Sequence, residues 1–189
     1  FHVGQLLLTA TGLRERERHL NTLNCVNALL GMGVLPVINE NDSVAVDELK
    51  FGDNDQLASL VAAMTRCELT VLLTTVDGLR GKTDQGLGDR IPLVERVGDE
   101  VKALATGTDD AQFSIGGMIS KLNAAEIVTA AGEYLWIADG MDMSVIERVF
   151  NGEDVGTLFL PVSDHQMPSR KRWLTFFTKT QGKLFIDDG

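Results

Sequence analysis

With 189 residues, 44% of them hydrophobic and 23% charged, the chain has the size of one globular domain, or of one domain and a fragment. Its 17 Lys and Arg against 27 Asp and Glu leave a formal charge of −10 and a pI near 4.7. That balance argues against a protein that coats nucleic acid or an anionic membrane, so any anionic ligand must be held by a few placed lysines, backbone amides or a metal ion.

Phe1-His2-Val3-Gly4-Gln5-Leu6-Leu7-Leu8 reads as a strand already under way, with its apolar run at 5–8, so the chain is expected to be a piece of a longer polypeptide. A helix is expected over 14–30, with Leu20, Leu23, Val26, Leu29 and Leu30 toward one side. The sign-alternating residues 14–18 form its solvated face, and Gly31 and Gly33 follow where helices close on a left-handed residue. A buried strand is predicted at 34–38. Next comes a helix at 55–66 carrying Leu57, Leu60, Val61 and Met64, entered by Asp53 or Asn54 as N-cap. The strand at 69–73 runs into a polar, Gly-rich stretch at 80–90 that reads as a loop or hairpin. Further helices are expected at 93–104, at 120–131 with Ser120 as N-cap and Gly132 beyond, and at 143–150 before Asn151-Gly152. The remaining strands are expected at 134–138 and 157–160. Pro168 and the basic run Arg170-Lys171-Arg172 lie in a polar stretch, 161–172, that marks the best domain boundary, and 183–187 opens a fresh strand pattern.

Continuously apolar strands alternating with helices predict a mainly parallel sheet covered on both faces, a three-layer α/β/α sandwich. No apolar run approaches the length of a membrane span, and membrane association is not expected. Cys25 and Cys67 fall in segments that read as helix, without a CxxC pair, so buried thiols in a reducing cytosol are expected.

Three constellations could carry chemistry. Asn39-Glu40-Asn41-Asp42 lies just beyond the carboxyl end of a strand, and Gly52-Asp53-Asn54-Asp55 opens the next helix, the place where open α/β sheets hold ligands. Carboxylates suit an ammonium group, and Asn amides serve both carboxylate and ammonium groups. The competing reading is a helix cap beside a solvated acidic loop. Gly116-Gly117-Met118-Ile119-Ser120-Lys121 puts a glycine pair before a helix with a lysine in its first turn, a combination that can cradle phosphate or be an ordinary turn. Thr74-Thr75 ends a buried strand that exits through Asp77-Gly78, offering hydroxyl and backbone groups to a nucleotide, or simply a turn. Gly81-Lys82-Thr83 fails as a P-loop tail because Val76 stands where the leading glycine is required. Gly31-Met32-Gly33 lacks a third glycine, with Pro36 in its place, and His2, His19 and His165 show no metal-ligand spacing.

With these elements in order, the sequence resembles the amino acid kinase family, in the branch that phosphorylates the γ-carboxylate of glutamate. The resemblance runs nearly end to end, through His2-Val3-Gly4-Gln5, Val37-Ile38 with Asn39-Glu40-Asn41-Asp42, Phe51 to Asp55, Gly116-Gly117-Met118 with Ser120-Lys121, Val155 to Phe159, and Arg170-Lys171-Arg172-Trp173. It implies ATP as co-substrate, Mg²⁺, and L-glutamate held by Asp42 and Asn54 with Asn39 beside them. Thr74, Thr75 and the segment Ile115, Gly116, Gly117, Met118, Ile119, Ser120 and Lys121 would contact ATP. Lys121 would lie near the transferred phosphate, and Asp55 would organise the active-site lysines. It further implies a cytoplasmic homo-oligomer, a dimer or tetramer, active in proline biosynthesis. Residues 1–162 would be the carboxyl-terminal part of the kinase domain, 163–175 a linker and 176–189 the start of a PUA domain, an RNA-binding module elsewhere; the acidic charge argues against RNA binding here. The family's amino-terminal portion, with a phosphate-binding lysine and glycine loop, is not matched, so the sandwich would be truncated on that side and the chain alone inactive. Thr75 stands where the family usually has Asp, and Ser114-Ile115 where Gly-Thr is common. Alternatives are a kinase of acetylglutamate, aspartate or carbamate, or a nucleotide- and amino-acid-binding regulatory module without chemistry.

Overall fold

The computed structural model describes residues 1–44, 54–83, 86–105, 115–163, 167–178 and 182. Strands β1 (His2–Leu8) and β2 (Val34–Glu40) pair in parallel, His2 opposite Val34 through Leu8 opposite Glu40. They are linked by α1 (Ala10–Arg14) and α2 (Arg16–Gly31), and α2 buries His19 and Val26 while Arg14 to Arg18 stay in water, as a solvated face requires. After β2 the chain reaches α3 (Asn54–Thr65) and then β3 (Leu69–Thr74). A hairpin of β4 (Arg80–Thr83) and β5 (Gly86–Arg90) fills the stretch expected as loop or hairpin.

The second sheet has the order β3-β7-β8-β6, with β6 (Leu93–Val94), β7 (Tyr134–Asp139) and β8 (Thr157–Phe159). The pairs β3/β7 and β6/β8 are parallel and β7/β8 is antiparallel. The sheet is thus mostly parallel, as expected, although one reversed pair joins its two halves. Helices α4 (Asp99–Ala105), α5 (Ile115–Ala130), α6 (Val145–Phe150) and α7 (Ser169–Arg172), with a π-helical turn at Trp173–Phe177, complete the described chain.

Helix α3 holds the molecule together. Its Ala62 packs with Leu122, Ala125 and Val128 of α5 above Leu72, Leu135, Ile137 and Phe159 of the second sheet. Its Leu57, Leu60 and Met64 pack with Leu8, Leu13 and Phe177 against the first. Burial of such side chains contributes about 1.5–3 kcal/mol each relative to exposure.

Three sequence expectations are corrected. The helix expected over 93–104 begins only at Asp99. Leu93–Val94 instead pair with β8, Leu158 N–H donating to Pro92 and Leu160 N–H to Val94, and Gly98 separates that strand from the helix. Asp99 and Glu100 then occupy the helix's first turn, where carboxylates meet unpaired N–H groups. Ser120 is not an N-cap, because α5 starts five residues earlier at Ile115 and takes the glycine pair into its first turn. The thiols are not both buried in helices: Cys25 is exposed on α2, although its neighbour Val26 is buried, and Cys67 lies half-buried past the end of α3. Asp53, the other N-cap candidate, and the strand pattern at 183–187 lie outside the described residues. No helix among the described residues is long and apolar enough to cross a membrane.

Candidate active site

The carboxyl end of β2 is extended by one bond, Asn41 N–H donating to Leu8 C=O at 2.7 Å, which holds Asn39 to Asp42 at the strand's exit. Asn39 and Asn54, the first residue of α3, line one cavity of about 520 Å³ between β2 and β3, floored by Leu57 and Val61. Asp42 lies exposed two residues past the strand and does not line that cavity.

One turn of α3 presents Asp55 toward α5, where Lys121 Nζ donates to its Oδ2 at 2.8 Å. Both side chains are only 14% exposed, so the pair is less screened by water and salt than a surface bridge. This contact joins two motifs 66 residues apart. It depends on close packing of α3 on α5, which small residues allow: Ala62 meets Ala124 and Ala125 in the same core. Along α5, Gly117 is exposed and a methyl group added there would meet nothing within 4 Å, so internal crowding does not account for the glycine. Ile119, Ser120 and Lys121 are all half-buried, and Ile119, like Met118, packs against the core. The side chain of Ile115 lies outside the described part of the structure.

A second cavity, about 380 Å³, opens at the carboxyl end of β3. Thr75 and Met118 line it together, which unites the strand-end and glycine motifs. Thr74 does not line it; its carbonyl accepts from Gly140 N–H at 2.7 Å and ties β3 to the end of β7. The turn after Thr75 needs Gly78: at φ 138°, a side chain would also press on the Gly156 carbonyl carbon at 3.2 Å. Thr157 pins the same turn, accepting from Leu79 N–H at 2.8 Å and donating to Ile91 C=O at 2.7 Å. Arg80 clamps Asp77 through two bonds, Nε at 3.1 Å and Nη2 at 2.8 Å, and gives a third to Gly88 C=O.

Sequence reasoning missed Asp77, Arg80, Leu87, Leu104 and Asp139 as cavity residues. Asp139 ends a strand, so the strand-end rule that singled out Thr75 could have found it. Leu87 and Leu104 carry no such signal, because an apolar side chain on a hairpin or helix reads as core.

A model of the amino acid kinase family matches residues 1–139. Glutamate 5-kinase of Desulfotalea psychrophila is 43% identical over 189 residues, and that of Moorella thermoacetica 41%, each alignment covering 99% of this chain and 50% of the relative. The chain therefore spans about half the length of the curated relatives it matches. In fold it is similar to carbamate kinase from Giardia lamblia bound to AMP-PNP, with a TM-score of 0.58 at 17% identity over 85% of this chain and 62% of that one. UMP kinase from Bacillus anthracis gives 0.55 at 12% identity, over 88% and 61%. The ordered motifs, the ion pair that unites them and the family match over most of the chain's length give one conclusion: the chain belongs to the amino acid kinase family.

Proposed function

We propose that this chain forms the acceptor- and nucleotide-binding part of an enzyme that transfers the γ-phosphoryl group of ATP to the γ-carboxylate of L-glutamate, giving glutamate 5-phosphate for proline biosynthesis. The observation that carries the reading is the Lys121–Asp55 pair, which joins the helix end beside the Asn39 and Asn54 cavity to the helix that lines the Thr75 and Met118 cavity. The name shared by the relatives at 41–43% identity supports the choice of glutamate over other acceptors.

The chemistry suits such a site. A side-chain carboxylate of pKa about 4.3 is ionised at pH 7, so the acceptor needs no general base. What the transfer needs is in-line positioning and cancellation of charge on the phosphates and the attacking oxygen. Met118 and Lys121 are three residues apart on α5 and so share a face. A nucleoside held against Met118 therefore directs its phosphates along the first turns of α5 toward Lys121. Asp55 fixes the ammonium in place before substrate arrives. Asn54 and Asn39 offer amide donors and acceptors to the amino acid, and Asp42, exposed just past β2 and outside their cavity, would offer a carboxylate to its ammonium group. Among the described residues no three metal-ligating side chains cluster. Magnesium brought with the nucleotide would take most of its ligands from the phosphates and water, because Asp55 is already bonded to Lys121. When bound, the ion would neutralise phosphate charge.

Steady-state kinetics of the full-length protein test the assignment. Asn54→Ala and Asp42→Ala raise the KM for glutamate with little change in that for ATP, whereas Lys121→Ala lowers kcat by about a hundredfold, measured as acyl phosphate trapped by hydroxylamine. Normal glutamate dependence in both former variants overturns the acceptor site.

A further inference from the structure

The cavity beside Thr75 holds one acidic group that the phosphoryl-transfer scheme leaves without a task. Asp139 is the last residue of β7, opposite Thr74 in the β3/β7 register, and it lines the cavity with Thr75. Its carboxylate is oriented by its own backbone: Oδ1 accepts from Met141 N–H at 2.9 Å. Oδ2 makes no hydrogen bond to any of the described residues. The other charged groups of the cavity, Asp77 and Arg80, are spent on each other.

The remaining lining comes from separate elements. Leu87 of the hairpin, Leu104 of α4 and Met118 of α5 give apolar walls of the kind that takes a flat ring, and about 380 Å³ lies within the range of small-molecule sites. An ionised carboxylate only accepts hydrogen bonds, so its counterpart must be a donor. A ribose offers two adjacent hydroxyl donors, and an acidic residue at a strand end is a known solution for holding them.

We propose that Asp139 accepts hydrogen bonds from the ribose hydroxyls of the bound nucleotide, making the cavity selective for ribonucleotides over deoxyribonucleotides. The inference rests on the nucleotide reading of this cavity given above. Thr75 completes the sugar-facing edge, and the phosphates leave past Met118 toward Lys121.

The test is a titration of the full-length protein, labelled with ¹³C at its methionine methyls, with AMP, 2′-deoxy-AMP and 3′-deoxy-AMP. The Met118 methyl reports occupancy of the cavity without any requirement for turnover. AMP binds about tenfold or more tightly than at least one deoxy analogue, the scale of a hydrogen bond to a charged group. In Asp139→Asn, whose amide oxygen still accepts from Met141 N–H and keeps the turn, the preference falls to about twofold while deoxy-AMP affinity is unchanged. Asp139→Ser serves as a second variant, and the methyl spectrum shows that each is folded. An undiminished AMP preference in both variants, with Met118 still shifting, overturns the ribose role and leaves the nucleotide cavity intact. No shift at Met118 with any of the three nucleotides overturns the nucleotide reading and the proposal with it.

Discussion

His19 shows how position decides a side chain's chemistry. It is 5% exposed, its ring stands edge-on to Phe177 with centroids 4.5 Å apart, and Nδ1 has no partner among the described residues. Burial lowers its pKa below the usual 6.5, against the opposing effect of a hydrogen bond to the Leu13 backbone. An unfolded chain takes up a proton near pH 6.5 while the native ring stays neutral to lower pH, so the unfolded state binds more protons in that window. Stability is therefore full above pH 6.5 and is lost as the pH falls through that value toward the native pKa. Urea unfolding at pH 7.5 and 5.5 should show a lower midpoint at the acidic pH, and His19→Gln should reduce that difference. In the sequence His19 is an isolated histidine on a helix, and nothing there distinguishes a core position from a surface one. Lys121 and Asp55 are similar: each stands in a recognisable motif, but their 2.8 Å contact belongs to the packing of α3 on α5.

Among elements, the short strand β8 has consequences beyond its three residues. Thr157 is fully buried, and its hydroxyl satisfies both the Leu79 amide and the Ile91 carbonyl, fastening the Gly78 turn and the approach to β6 across the sheet. Thr157→Val keeps the shape and removes both bonds, leaving two buried backbone groups unpaired. Stability should fall by about 1–3 kcal/mol in chemical denaturation, and nucleotide affinity should fall with it because Leu79 lines the cavity. The alternation of strands and helices was readable because continuous apolar runs and 3.6-residue periods are local signals. Helix 93–104 was misread for the converse reason. Leu93, Val94, Val97, Val101 and Leu104 are spaced acceptably for a helix face, while the pairing of Leu93–Val94 with Leu158–Phe159 depends on residues some 65 positions away in sequence.

For the whole molecule, the segment read as a linker is instructive. Residues 163–175 include α7 and part of the π-helical turn, and Arg172 is 2% exposed. Its guanidinium bonds the carbonyls of Met167 (2.7 Å), Ala63 (2.9 Å) and Ala131 (2.9 Å), and the Glu133 carboxylate. Ala63 lies in the last turn of α3 and Ala131 just past α5, so a cation meets the negative ends of both helices that carry Asp55 and Lys121. Burial pushes the Glu133 carboxyl up, while Arg172 pulls it down. Removing one partner strands the other charge in the core: Arg172→Ala should cost about 3–5 kcal/mol, whereas Arg172→Met combined with Glu133→Met should cost much less. Equilibrium denaturation of the two variants separates a paired charge from simple packing.

By itself the sequence determined the fold class, the order of most strands and helices, and the strand-end and helix-entry motifs, because periodicity, turn residues and motif spacing are written within a few residues of one another. The tertiary structure decided which motifs meet. It joined Lys121 to Asp55, set Asn39 beside Asn54, placed Thr75, Met118 and Asp139 around one cavity, and buried Arg172 against Glu133. Those contacts arise from the packing of small and apolar faces between distant elements, a property of the assembled core that local patterns do not encode.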